Sequence, residues 1–375
     1  MDIVGTLMRL AEPPGIAKTS LWDSVCIQPC VMQPIFLFWS PAVRNAIPVL
    51  LTLVMIGGAC ERLDAARMMG QNFQAPGEST EMLAAYMPWF GDQGHISIGY
   101  SSQDKKVLSQ QIDEARSRRI SGFVVHWSGL RRPFTDRAFV LLQQVAHEKD
   151  FKVALLYNEV ETDGDAATQD AVKAFDEAYK DYIGPRARYR DAYLTYNNRP
   201  VVFIFPKRGH ADWNRVRERV NQWAAPPLLF YKDDPPPQVA GAFDGYFAWV
   251  HPGHGGWAPD GSDWGKQYLQ NFFKNMPKRY PGKLLVGAAW PGFDDSRASW
   301  SLNRHMNARC GKTFDETLAI SRSHDGSPPP VFLLVETWND YEEGTAVEQP
   351  ERWNCSGKGG SAVNQHYRPE TAPDS

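Results

Sequence analysis

The stretch Pro330–Glu348, PVFLLVETWNDYEEGTAVE, decides the fold. It opens on Val331–Val335, an apolar run short and β-rich enough to be a strand buried on both faces. At Glu336 the character changes, and Trp338, Asn339, Asp340, Tyr341, Glu342, Glu343 and Gly344 follow. A buried strand that emerges into carboxylates and aromatics is the pattern at the C-terminal mouth of a parallel β-barrel. Asp340 and Glu343, three residues apart, can face one cavity while differing in burial. Such a difference separates two pKa values, so that one group serves as acid and the other as base. The plain alternative is a strand ending in a solvated acidic turn.

Working back from that stretch, strand and helix signals alternate. Strands are expected at Leu83–Met87, Gly122–Trp127, Val153–Tyr157, Val201–Phe205, Leu228–Tyr231, Gly245–Val250, Leu284–Ala289 and Val331–Val335. Helical periodicity falls at Lys105–Arg118, Arg137–Glu148, Gln169–Tyr182, Asp212–Trp223, Trp264–Lys278 and Thr313–Ser323. This alternation fits one (β/α)8 barrel over residues 80–350. One connection is a misfit. KDDPPPQVAG, residues 232–241, contains three consecutive prolines and cannot supply an ordinary crossover helix. Either that helix is degenerate or one flanking strand is misassigned. Residues 351–375, rich in Gly, Ser and Pro, are expected to form a poorly ordered tail.

Residues 1–69 do not read as part of a domain. Ile47–Met55 is an apolar segment preceded by Arg44 and followed by Gly57, Gly58, Ala59 and Cys60, the layout of a secretory signal. The segment is short for a membrane span. Export to the periplasm, the cell exterior or a lipoprotein anchor is therefore expected, with Cys60 the residue that lipidation would use. Of the five cysteines, Cys310 and Cys355 lie beyond this segment and would pair if exported, although two buried thiols are the alternative. The net charge of −3 gives no reason to expect nucleic acid, and any membrane contact would run through the signal segment or lipidated Cys60. The 13 Trp and 14 Tyr point instead to carbohydrate, because aromatic faces stack on the C–H faces of sugars.

In a barrel the strand ends carry the chemistry, so each can be read in turn. The first ends in YMPWF (residues 86–90), with Trp89 a candidate sugar contact; His95 follows, and Asp104 is a plausible helix N-cap. The second, ISGFVVHWSG (residues 120–129), places His126 and Trp127 there. Trp127 is the expected sugar contact, and His126 a structural histidine. The third ends in Glu159, either a substrate contact or a surface carboxylate, and the fourth in Lys207 and Arg208. AWVHPGHGGW (residues 248–257) offers Trp249, His251 and His254, but no third ligand accompanies the histidines, so neither metal nor cofactor is expected. PGFDD (residues 291–295) follows Trp290.

TWNDYEEGTAVE resembles the end-of-barrel motif of glycoside hydrolase families 71 and 99. The first carries a TWNDYGE-like form and the second an NEWHEGT-like form. YMPWF, GFVVHW and PGFDD are similar to family 99 segments, so the resemblance covers roughly residues 83–348. It implies a glycosidase acting on α-mannosides or α-glucans, with Glu343 as general acid and Asp340 as the partner carboxylate. The strand-end reading and the resemblance together give Trp89, Trp127, Glu159, Trp249, Trp290, Asp294, Trp338 and Tyr341 as expected substrate contacts, with Trp338, Tyr341 and Trp290 also forming the aromatic wall that would raise the Glu343 pKa. Asp340 has two possible tasks. In the family 71 manner it activates water and inverts the anomeric centre. In the family 99 manner it takes the 2-hydroxyl proton, that oxygen attacks the anomeric carbon, and the outcome is retention. More of the barrel follows family 99, so retention is expected. The other readings are an inactive carbohydrate-binding barrel, a transglycosylase or a lyase.

Overall fold

The computed structural model describes residues 80–207, 211–253, 255–322 and 329–348. The expectations for the N-terminal segment with Cys60, for Arg208, His254 and Ser323, and for the tail with Cys355 lie outside these residues. Among the described residues no helix is long and apolar enough to cross a membrane.

Eight parallel strands close into a barrel. They are β1 (Glu81–Tyr86), β2 (Ile120–Trp127), β3 (Lys152–Asn158), β4 (Arg199–Phe205), β5 (Leu228–Lys232), β6 (Gly245–Phe247), β7 (Leu284–Ala289) and β8 (Phe332–Val335). Each pairs with the next, and β8 closes on β1 through Glu81↔Phe332 to Ala84↔Val335. Helices α1 (Lys105–Ser117), α2 (Pro133–Glu148), α3 (Gly164–Ala178), α4 (Trp213–Val220), α5 (Lys266–Arg279) and α6 (Lys312–Arg322) are also present.

The period-two alternation of β8 sets the two faces of the wall. Phe332 points inward, its ring 5.6 Å from Tyr196 and 6.4 Å from Phe230. Leu333 points outward, where Gly287 lets α6 approach: a Cβ at Gly287 would sit 2.5 Å from Leu333 and 3.0 Å from Ser321. Helix α1 shows the complementary logic. Leu108, Gln111, Ile112 and Ala115 are buried at helical spacing, and Asp104 caps the start by accepting from Lys106 N at 2.8 Å. Each fully buried Leu or Ile in such an interface contributes roughly 1.5–3 kcal/mol.

Both strands flanking the three prolines form, and only a 3₁₀ turn, Ala240–Ala242, stands where the crossover helix would be. The structure therefore selects the degenerate helix. The strand expected over Gly245–Val250 stops at Phe247. Beyond it the backbone turns to side-chain partners: Trp249 N donates to Tyr268 Oη, and Val250 N to a Glu336 carboxyl oxygen.

Candidate active site

The site is built on the loop that continues β8. Glu336 N still pairs with Ala289 O at 2.8 Å, and Trp338 N with Ala85 O. The chain then closes on itself. Thr337 N donates to Thr345 O, Val347 N to Thr337 O and Glu348 N to Trp338 O. Gly344 supplies the turn at φ +63°, and a side chain there would press on the Asp294 backbone at 3.2 Å. Asn339 fastens the loop to β1 with both ends of its amide, accepting from Met87 N at 2.7 Å and donating to Met87 O at 3.0 Å.

Inside this loop Asp340 is 2 % exposed. Its Oδ1 accepts from Glu342 N at 3.1 Å and Glu343 N at 2.9 Å, while its own N–H donates to Thr337 Oγ1 at 2.8 Å. Oδ2 has no hydrogen-bond partner among the described residues, so one oxygen is fixed and the other is available. Glu343 is half-buried; its backbone O accepts from Asp294 N at 2.8 Å, and its Oε1 accepts from Trp300 Nε1 at 3.0 Å. Burial raises the pKa of both carboxyls, and the neighbouring negative charge raises Asp340 further. Two such groups release their first proton more readily than their second, so the pair holds one proton over a range of pH.

The walls around them are aromatic. Trp89 stacks on His95 at 4.9 Å and stands edge-on to His126 at 5.2 Å and Trp300 at 6.2 Å. Glu342, itself buried, orients His95 through Nδ1 at 2.9 Å and accepts from Ile96 N at 3.2 Å. The wall continues through His126 to Phe205, 6.3 Å away, which meets Trp249 edge-on at 5.3 Å and has the ammonium groups of Lys232 and Lys207 4.6 and 5.5 Å from its ring centre. His126 is held neutral, its pKa lowered to about 3 by burial and by Lys207.

Of the residues singled out in the sequence, Asp340, Glu343, Trp89 and Trp249 come together at this mouth, and Asp294 touches it through its backbone. The others are placed elsewhere. Trp127 lies on the helical side of the wall, fully buried, with Nε1 donating to Asp136 at 3.0 Å. Trp338 packs beside Phe123 under the Arg118 guanidinium, and Trp290 donates to Trp264 O at 3.1 Å. The Tyr341 hydroxyl donates to Glu348 at 2.8 Å. Both Glu159 oxygens accept backbone N–H groups, from Lys207 at 2.8 Å and Ala211 at 2.7 Å, an arrangement that pins the loop after β4. Trp300, Glu342 and Lys232 had no assigned role in the sequence. For Trp300 the available signal was an aromatic set in the polar loop just after PGFDD.

Cys310 is disulfide-bonded, and its expected partner Cys355 lies outside the described residues. Among the described residues no group of three or more His, Cys, Asp or Glu side chains is placed to hold a metal ion.

The barrel is similar to that of the family 99 endo-α-mannosidase from Bacteroides thetaiotaomicron in complex with bis-tris-propane. The TM-score is 0.56 at 16% identity, covering 72% of this chain and 88% of that one. A second structure of that endo-α-mannosidase gives 0.54 at 15% with the same coverage. A glycoside hydrolase-like protein gives 0.53 at 13%, covering 72% and 87%. The sequence matches no protein-family model and no curated protein. At these identities the likeness establishes the (β/α)8 fold.

Proposed function

We propose that this barrel is a glycosidase that cleaves α-linked glycans of the α-mannoside type, with Glu343 as general acid and Asp340 as its partner. The observation that carries the reading is the inequality of two adjacent carboxyls at the barrel mouth. Asp340 is almost wholly buried with one oxygen locked by backbone N–H groups, whereas Glu343 is half-buried against an aromatic wall. Backbone donors favour the charged form of Asp340, but burial and the Glu343 charge outweigh them and hold its pKa well above the ordinary carboxylate range. In this reading Asp340 acts as base in the state whose shared proton sits on Glu343, against the leaving oxygen. The structural neighbours, two of them endo-α-mannosidase structures, support the substrate class.

In this reading Asp340 Oδ2 takes the proton of the sugar's 2-hydroxyl. The freed oxygen bonds to the anomeric carbon as Glu343 protonates the departing glycosidic oxygen. Water then attacks the same carbon, Glu343 takes its proton, and the 2-oxygen leaves with the proton held by Asp340. The deep burial of Asp340 favours direct contact with a hydroxyl over activation of a water. The disulfide at Cys310 supports export, since such bonds persist in oxidising compartments.

The test is digestion of yeast mannan and α-1,3-glucan oligosaccharides, with the first product followed by proton NMR. Cleavage of the mannan with the α-anomer appearing first is the expected result. An initial β-anomer would return Asp340 to water activation. Unsaturated or lengthened products would indicate a lyase or a transglycosylase, and no cleavage of either glycan would contradict the proposal.

A further inference from the structure

Few large apolar side chains are well exposed among the described residues, and two of them, Trp300 at 40 % and Leu302 at 72 %, share one loop. That loop joins the paired two-residue strands Phe293–Asp294 and His305–Met306. It is firmly built around Asp295, which is fully buried. Asp295 accepts from Ser301 Oγ at 3.1 Å, Leu302 N at 3.2 Å, Arg304 N at 2.8 Å and Arg304 Nε at 2.7 Å. Burial alone would raise its pKa, but the Arg304 guanidinium and these donors together hold it below the usual carboxylate range. Arg304 in turn lies over Trp257 and Phe293, at 5.3 and 5.2 Å. A loop so pinned presents its indole in one orientation, which is what a binding platform needs.

The orientation is informative. The N–H edge of Trp300 faces Glu343, and its contacts with Trp89 and His95 are edge-on, at 6.2 and 6.1 Å. Much of the ring remains open to solvent. A general acid must reach the glycosidic oxygen, so the sugar beyond that oxygen passes beside whatever borders the acid. We propose that Trp300 carries the leaving-side sugar on its exposed face while its indole N–H orients Glu343 for proton delivery. This inference rests on the reading of Glu343 as the acid. An indole face is suited to the C–H face of a neutral pyranose, and Leu302 extends the apolar surface outward.

The experiment compares Trp300→Ala and Trp300→Phe on an oligosaccharide from yeast mannan and on the α-fluoride of the matching disaccharide. The fluoride has no leaving-side sugar and needs little protonation. Trp300→Ala should lower kcat/KM on the oligosaccharide by about 30-fold, chiefly through KM, and change kcat/KM on the fluoride by less than about 3-fold. Trp300→Phe keeps a ring but lacks the donor. It should recover most of the KM loss while the alkaline limb of the pH–rate profile moves upward, because a carboxylate without its donor holds its proton to higher pH. An equal effect of Trp300→Ala on both substrates, or none on either, would overturn the platform if Glu343→Gln is inactive on the oligosaccharide. An unmoved alkaline limb in Trp300→Phe would overturn the orienting role. A fully active Glu343→Gln, or a wild type that cleaves neither substrate, would overturn the acid reading and this inference with it.

Discussion

Glu343 and Glu348 lie on the same loop, and both have pKa values raised by burial, yet their surroundings differ in kind. Glu348 has both oxygens occupied: Gln111 Nε2 donates to Oε1 at 2.6 Å, and the hydroxyls of Tyr100 and Tyr341 donate to Oε2, each at 2.8 Å. Arg118 clasps the backbone carbonyls of Val347 and Glu348 as well. Glu343 has one indole donor and stands at the mouth. The count of donors therefore separates a carboxyl that ties the loop to α1 from one still able to exchange a proton. Asp340 is intermediate, with one oxygen saturated and the other open.

The largest effect that could break this comparison is expected at Asp340. Asp340→Asn keeps the shape and Oδ1 acceptor but cannot take a proton. Turnover should fall by about 10³-fold on mannan oligosaccharide and on the α-fluoride alike, since its step precedes departure of either leaving group. Steady-state kinetics on both substrates checks this. Loss on only one of them would separate Asp340 from the attacking oxygen.

Glu348 should respond in stability. Glu348→Leu leaves two phenol hydroxyls and an amide without their acceptor, at a cost of about 3–5 kcal/mol. Glu348→Gln retains an acceptor and should cost about 1 kcal/mol. Denaturant melts followed by circular dichroism would distinguish them. A smaller, pH-dependent effect sharpens the comparison. The folded pKa of Glu348 lies above the ordinary 4.5, so its protonation favours the folded state at low pH. That contribution is complete below the unfolded pKa and is lost as pH rises through the folded one. The stability of wild type relative to Glu348→Gln should therefore decline across that window. A flat difference would show that Glu348 does not titrate differently on folding.

The barrel was legible because its strands are continuous apolar runs, which is what burial on both faces demands. All eight fall where those runs lie, and the three prolines marked the one crossover without a helix. The acid loop was legible too, since Asp340 and Glu343 follow directly from a strand end. Which aromatics face the mouth was not. Trp127 is the last residue of β2 and keeps the strand's alternation, whereas Trp89 stands three residues past the end of β1, in the turn that faces the mouth. Trp127 accordingly joins Tyr157 and Tyr182 on the helical side. Glu159 looked open because its partners, the backbone N–H groups of Lys207 and Ala211, carry no signature in side-chain identity. Trp300 reaches Glu343 only through the hairpin organised by Asp295, a long-range arrangement that local pattern does not encode.

The central claim is that Glu343 is the proton donor to the leaving group, and Glu343→Gln tests it most directly. The amide keeps the shape and an acceptor for the Trp300 N–H but has no proton to give. Turnover of the mannan oligosaccharide should fall by about 10³-fold with binding, measured by calorimetry, essentially unchanged. The kcat/KM on the α-fluoride, which reports the step in which fluoride leaves without protonation, should stay within about 10-fold of wild type. Near-normal turnover of the oligosaccharide by Glu343→Gln would contradict the account.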